Sequence, residues 1–142
     1  MTKWMIVACL ISRSVCAQET DVWKILSEVN FETTTAGDSG FEMDSPKFSK
    51  KLWSYNGKKV QLKGYMIPVS ETKGKTDYMI SSLPFNSCYF CGGAGPETVV
   101  EVQTKEKLAF TNKLVTMEGI LFLNDFDPDH HMYMIKDAKL IN

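Results

Sequence analysis

Arginine is all but missing from these 142 residues: Arg13 is the single one, in a chain of 16 basic and 17 acidic residues with a formal charge of −1. Recognition of phosphates and base edges leans on the bidentate guanidinium, and no run of lysines forms a basic stripe, so nucleic acid is excluded as the expected partner. Long apolar runs are missing too. The longest, Trp4 to Ile11, has eight residues, whereas a membrane-spanning helix needs about 20. Histidine is limited to His130 and His131, and cysteine to Cys9, Cys16, Cys88 and Cys91.

What the N-terminus does have is the layout of an export signal. Lys3 and the amine give a positive start, Trp4 to Ile11 is the apolar run, and a short polar stretch ends in Val15-Cys16-Ala17. Cleavage after Ala17 makes Gln18 the first residue of a periplasmic protein. Acylation at Cys9 or Cys16 is the competing reading. Cys9 comes too early for it, and Cys16 follows Arg13-Ser14-Val15 in place of a small apolar box. Loss of residues 1–17 takes Lys3 and Arg13 from the 16 basic residues and leaves 14 against 17 acidic, a formal −3. The remaining segment, 18–142, suits one domain with a modest core and no transmembrane segment.

Asp21 to Val29 sets Val22, Ile25, Leu26 and Val29 at helical spacing, with Thr20 or Asp21 as cap, and predicts a short amphipathic helix. The polar stretch from Glu32 to Ser45 reads as a strand fragment and loops, leading to an apolar anchor of Phe48, Leu52 and Trp53. After the Asn56-Gly57 turn, Lys58 to Pro68 alternates Val60, Leu62, Gly64 and Met66 on one face with polar residues on the other. Val115, Met117, Gly119 and Leu121 repeat that spacing. A glycine in mid-strand lets a strand coil sharply or bulge, as the long strands of a small closed barrel must. Further strands at Thr76–Ser82, Thr98–Gln103 and His131–Lys136 bring the number to five. The expected fold is therefore mainly β, a small five-stranded OB-like barrel with an N-terminal helix. Tyr-Met-Ile recurs at 65–67, 78–80 and 133–135, so Met66, Met79 and Met134 could form a sulfur cluster suited to copper(I), or simply fill an irregular core.

In the mature segment Cys88 and Cys91 are the only cysteines, within Ser87-Cys-Tyr-Phe-Cys-Gly-Gly-Ala-Gly-Pro-Glu97. A Cys-x-x-Cys-Gly turn can point two thiolates at one metal ion. Gly92 or Gly93 supplies the left-handed turn, and backbone N–H groups near the sulfurs are expected to lower the thiol pKa. Gly95, Pro96 and Glu97 shape the rest of the loop. Two other readings stand beside metal binding. The pair can close a structural disulfide in an oxidising compartment, or act as a thiol-disulfide redox centre. A thioredoxin-like pair opens a helix, which the glycines and proline of 92–96 oppose. A structural zinc site wants four ligands, and His130 and His131 are the nearest candidates to complete one, with Asp125, Asp127, Asp129 and Glu97 as oxygen donors. The acidic turn 124–131 lacks the glycine and distal glutamate of a hand-type calcium loop.

Gly64-Tyr65-Met66-Ile67-Pro68, Cys88-Tyr89-Phe90-Cys91-Gly92-Gly93-Ala94-Gly95-Pro96-Glu97 and Gly119-Ile120-Leu121-Phe122-Leu123-Asn124 together resemble an exported bacterial family of unknown function, found in Bacteroidetes and proteobacteria. Its hallmarks are a Gly-Tyr-Met-Ile-Pro strand and Cys-Phe-Phe-Cys-Gly-Gly-Ala-Gly-Pro-Glu; Tyr89 stands where Phe is usual. The resemblance runs from about Trp23 to the C-terminus and implies a periplasmic protein, sometimes encoded beside metal-responsive transporter components. It implies no mechanism and no ligand set.

The residues and the resemblance together give the expectation of a periplasmic accessory protein that binds zinc first and copper second. Cys88 and Cys91 would be its ligands, with His130 and His131 as added ones, and it would serve transport or delivery, alone or as a homodimer, through an envelope transporter component. No nucleophile–base pair stands out in the sequence, so a binding protein is expected ahead of an enzyme. The alternatives are a protein- or peptide-binding module with a Cys88–Cys91 disulfide, and a thiol-disulfide oxidoreductase.

Overall fold

The computed structural model describes residues 21–36, 41–72 and 75–142. The expected leader, 1–17, lies outside them. Helix α1 (Val22–Leu26) is the predicted amphipathic helix, shorter than expected; Asp21 accepts from the Trp23 N–H at 3.2 Å to cap it. Its buried side, Val22, Ile25 and Leu26, joins the main core.

The stretch expected as a strand fragment and loops is a hairpin. Strands β1 (Asn30–Ala36) and β2 (Phe41–Lys47) pair antiparallel as a separate two-stranded sheet. The β-branched Thr33-Thr34-Thr35 run favours extended backbone, and Thr33 donates to Asp44 across the pair at 2.7 Å. Helix α2 (Lys50–Trp53) follows, capped by Ser49, whose hydroxyl accepts from the Leu52 N–H at 3.1 Å. Of the expected anchor, Leu52 is fully buried and Phe48 packs on the core. Trp53 does not join them: it is 40% exposed and meets Phe48 edge-on at 5.6 Å. On a helix this short, Trp53 follows Leu52 directly, and adjacent residues point in different directions.

The body of the domain is a closed barrel of β3 (Lys59–Thr72), β4 (Lys75–Ser81), β5 (Val99–Val102), β6 (Leu114–Leu123) and β7 (Tyr133–Leu140), in the order β3-β4-β5-β7-β6. Only β5 and β7 run parallel, so the mixed five-stranded barrel of OB type expected from the strand pattern is present. Leu62, Ile80, Val100, Met117, Leu121 and Ile135 fill it. The Tyr133 hydroxyl, buried with them, donates to the Leu26 carbonyl at 2.8 Å and ties α1 to the barrel.

The two mid-strand glycines serve closure in different ways. Gly64 stands where β3 leaves its pairing with β6 and takes up β4, and a Cβ there would lie 2.3 Å from the Ser81 carbonyl oxygen. Its register is regular, so it permits close approach of backbones and is not a bulge. Gly119 does sit at an irregularity, between Glu118 and Ile120 in the β6–β7 pairing.

Alternate residues of a strand face opposite sides. The registers Ile67↔Met79, Met79↔Glu101, Glu101↔Met134 and Met134↔Phe122 therefore set one row across the outside of the barrel. The three Tyr-Met-Ile triplets are consequently not equivalent. Met66 belongs to the interior core, whereas Met79 and Met134 stand on the outer row with Glu101 between them, so no cluster of all three forms.

Candidate functional site

The segment 82–98, between β4 and β5, lies over part of the outer row. Short 3-10 turns at Phe85–Ser87 and Tyr89–Cys91 are stopped by Gly92, which takes the left-handed conformation at φ 74°, as a Cys-x-x-Cys-Gly turn requires. Gly93 lies so close to Ser87 that a Cβ would be 2.6 Å from its carbonyl oxygen. One 3-10 turn opens at Cys88 and ends at Gly92, and no α-helix follows, unlike the helix start at which a thioredoxin-like pair sits.

The backbone amides of the turn are engaged differently from expectation. The Cys88 carbonyl accepts from the N–H groups of Cys91 at 3.1 Å and Gly93 at 3.2 Å, and the Tyr89 carbonyl accepts from Gly92 at 3.0 Å. These donors are satisfied by oxygen, so they do not stabilise a thiolate. The predicted lowering of thiol pKa is accordingly reversed at Cys91: desolvation pushes it up, and the charge and hydrogen bonding of the Cys88 side chain push the same way. Both cysteines are free thiols. Cys88 is fully buried in a small cluster with Ile67, Met79 and Val99, while Cys91 is exposed and its thiol donates to the Phe85 carbonyl at 3.0 Å.

The second loop, 124–132 between β6 and β7, is organised by Asn124. Its buried side chain donates to the carbonyls of Asp127 at 2.7 Å and His130 at 3.1 Å and accepts from the Asp127 N–H at 2.9 Å. Asp127 in turn accepts from the Asp129 N–H at 3.0 Å, which turns it inward to the loop. Glu101 of β5 holds the histidines: Oε1 lies 2.9 Å from His130 Nδ1, and Oε2 accepts from the His131 N–H at 3.0 Å. The His131 ring lies between Tyr89 and Tyr133, with centroids 6.5 and 6.3 Å away, and its Nδ1 accepts from the Tyr133 N–H at 3.2 Å.

The two loops thus meet, through Tyr89 and His131, but by an edge-on contact of their rings. Among the described residues no three His, Cys, Asp or Glu side chains come close enough together to hold a metal ion, so Cys88, Cys91, His130 and His131 do not converge as one ligand set. Glu97 forms no such group with the two thiols either. Its carboxylate folds back over Gly95, and its charge adds to the burial that raises the Tyr133 phenol pKa. Pro96 starts the 3-10 turn that leads into β5.

Between the loops lies an open cleft of about 780 Å³ over β4 and β5, lined among others by Met79, Phe90, Glu101, Gln103, His130 and His131. Three residues central to this region were not singled out as site residues from the sequence. Asn124 had the usual signal of an Asn that starts a turn after a strand. Glu101 is the one charge inside the apolar Val99–Val102 strand, and Met79 carries no sequence signal beyond its place in one of three Tyr-Met-Ile triplets.

No family model matches the chain, and no curated protein matches it. It is similar to the crystal structure of a DUF3299 family protein from Pseudomonas aeruginosa, at 14% identity over 68% of each chain with a TM-score of 0.47. A likeness that slight carries no argument about function.

Proposed function

We propose that this protein binds a soft transition-metal ion through Cys88 and Cys91 and acts in its transport or delivery in the periplasm, with copper(I) suiting the donor set ahead of zinc. The observation that carries this is the pair itself: two free thiols at either end of one 3-10 turn stopped by Gly92, one buried and one exposed. Copper(I) is content with few, soft sulfur ligands, whereas zinc wants four. A zinc site here needs the His130 ring to leave Glu101 and the His131 ring to leave the Tyr133 amide, or a second copy to add its own cysteine pair. The exposed Cys91 gives an envelope transporter component a thiol to which the ion can be handed.

The test is titration of the reduced domain with copper(I) against a chromophoric chelator, with zinc in parallel. One copper(I) per chain is expected, lost in Cys91→Ser and in the double Cys→Ser variant. Binding of neither metal above the double variant overturns the reading. A second reading, a module for an envelope protein or peptide, is favoured by the exposed rings of Phe85, Tyr89, Phe90 and Phe126 on the two loops. It takes over if the metal titration fails.

A further inference from the structure

The geometry points to Met79 as a third sulfur ligand, completing with Cys88 and Cys91 a three-sulfur copper(I) site; this rests on the metal-binding reading above. Met79 stands on the outer face of β4, where an uncovered strand would carry a polar side chain. It is instead 6% exposed, in a cluster with Cys88, Ile67 and Val99. Ile67 and Val99 offer no donor atom. The polarisable atoms of the cluster are thus the Cys88 thiol and the Met79 thioether, and Met79 also lines the cleft beside Phe90, from the residue next to Cys91.

The chemistry favours this donor over the histidines. Binding replaces two S–H bonds with two S–Cu bonds and releases two protons, leaving two thiolates and one monovalent ion with a net charge of −1. A thioether adds a lone pair and no charge, which suits a dry cluster better than a further anion does. His130 is held by Glu101 and His131 by its ring neighbours and the Tyr133 amide, so neither is free to compete without breaking a hydrogen bond.

Met134 is the internal control. It occupies the same outer row, but Glu101 stands between it and Met79, and its sulfur accepts from Gln103 Nε2 at 3.3 Å.

The experiment combines copper(I) affinity with copper-edge X-ray absorption on the reduced protein, Met79→Leu and Met134→Leu. Three sulfur scatterers are expected in the wild type and in Met134→Leu, and two in Met79→Leu. Affinity should fall by about tenfold or more in Met79→Leu alone, in the range lost when a metal site is stripped of a supporting group. Selenomethionine-labelled wild-type protein gives a readout that needs no substitution: a copper–selenium scatterer is expected. Absence of that scatterer, or two sulfurs in the wild type with unchanged affinity in Met79→Leu, overturns the role of Met79 and leaves the cysteine pair standing. Absence of copper(I) binding above the double Cys→Ser variant overturns both.

Discussion

Glu101 and His130 are joined across the cleft by a 2.9 Å contact from Oε1 to Nδ1, and the other oxygen of the same carboxylate accepts from the His131 N–H at 3.0 Å. One side chain of β5 therefore fastens the β6–β7 loop to the barrel wall. The pair is partly exposed, so solvent screening discounts its strength. Glu101→Ala should cost about 1–2 kcal/mol in urea unfolding and speed amide exchange at His131. Unchanged midpoint and exchange would mean that Asn124 alone holds the loop.

His131 makes stability depend on pH. Burial holds its pKa below the ordinary 6.5, against the opposing pull of the Glu101 charge. Below about 6.5 the unfolded chain takes up a proton that the folded chain refuses until the pH is lower still. The unfolded state binds more protons in that window, so the contribution is fully present above the unfolded value and is lost as pH falls through the depressed folded value. Urea midpoints at about pH 7.5 and about pH 5 should differ less in His131→Gln than in the wild type, even though the variant starts less stable. Equal differences would show that His131 titrates no differently on folding.

The barrel was legible in the sequence because its signals are local. Alternation in Lys58–Pro68, the repeated glycine spacing and the turn residues all act within a few positions. The β1–β2 hairpin was legible only as a strand fragment, since the run Thr33-Thr34-Thr35 has no apolar alternation to mark it. The thiol turn was legible down to the left-handed glycine at Gly92. The direction of the Cys91 shift was not, because it depends on the desolvation of Cys91 in the folded turn, on the Cys88 side chain beside it and on where the amides of 91–93 find acceptors. Nor does a sequence say that Met66 faces inward while Met79 and Met134 face out; that depends on the strand registers.

The two strand glycines should respond unequally to alanine. At Gly64 the added Cβ meets the Ser81 carbonyl oxygen at 2.3 Å, a backbone atom of a paired strand that cannot step aside. At Gly119 the nearest atom is the Lys136 carbonyl oxygen at 3.0 Å, beside an irregular register that can yield by a few tenths of an ångström. Gly64→Ala should cost about 3 kcal/mol or more and Gly119→Ala about 1 kcal/mol by chemical unfolding. The reverse order would mean that the bulge, and not the β3 corner, limits closure.

Alkylation distinguishes the two thiols and tests the redox reading directly. Of the two cysteines among the described residues only Cys91 is exposed, so in the segment 18–142 iodoacetamide should modify Cys91 in the folded protein and reach Cys88 only on unfolding. The attacking species is the thiolate, and desolvation, followed by the Cys88 side chain, raises the Cys91 pKa above its ordinary 9.0. The labelling rate should therefore still be rising at pH 9, with its half-point on the alkaline side of a free thiol. In Cys88→Ser the half-point should move down only part of the way. The substitution removes the neighbouring thiol but not the larger, desolvating contribution. A plateau already reached at neutral pH would mean an activated thiolate, and would bring the oxidoreductase reading back ahead of metal binding.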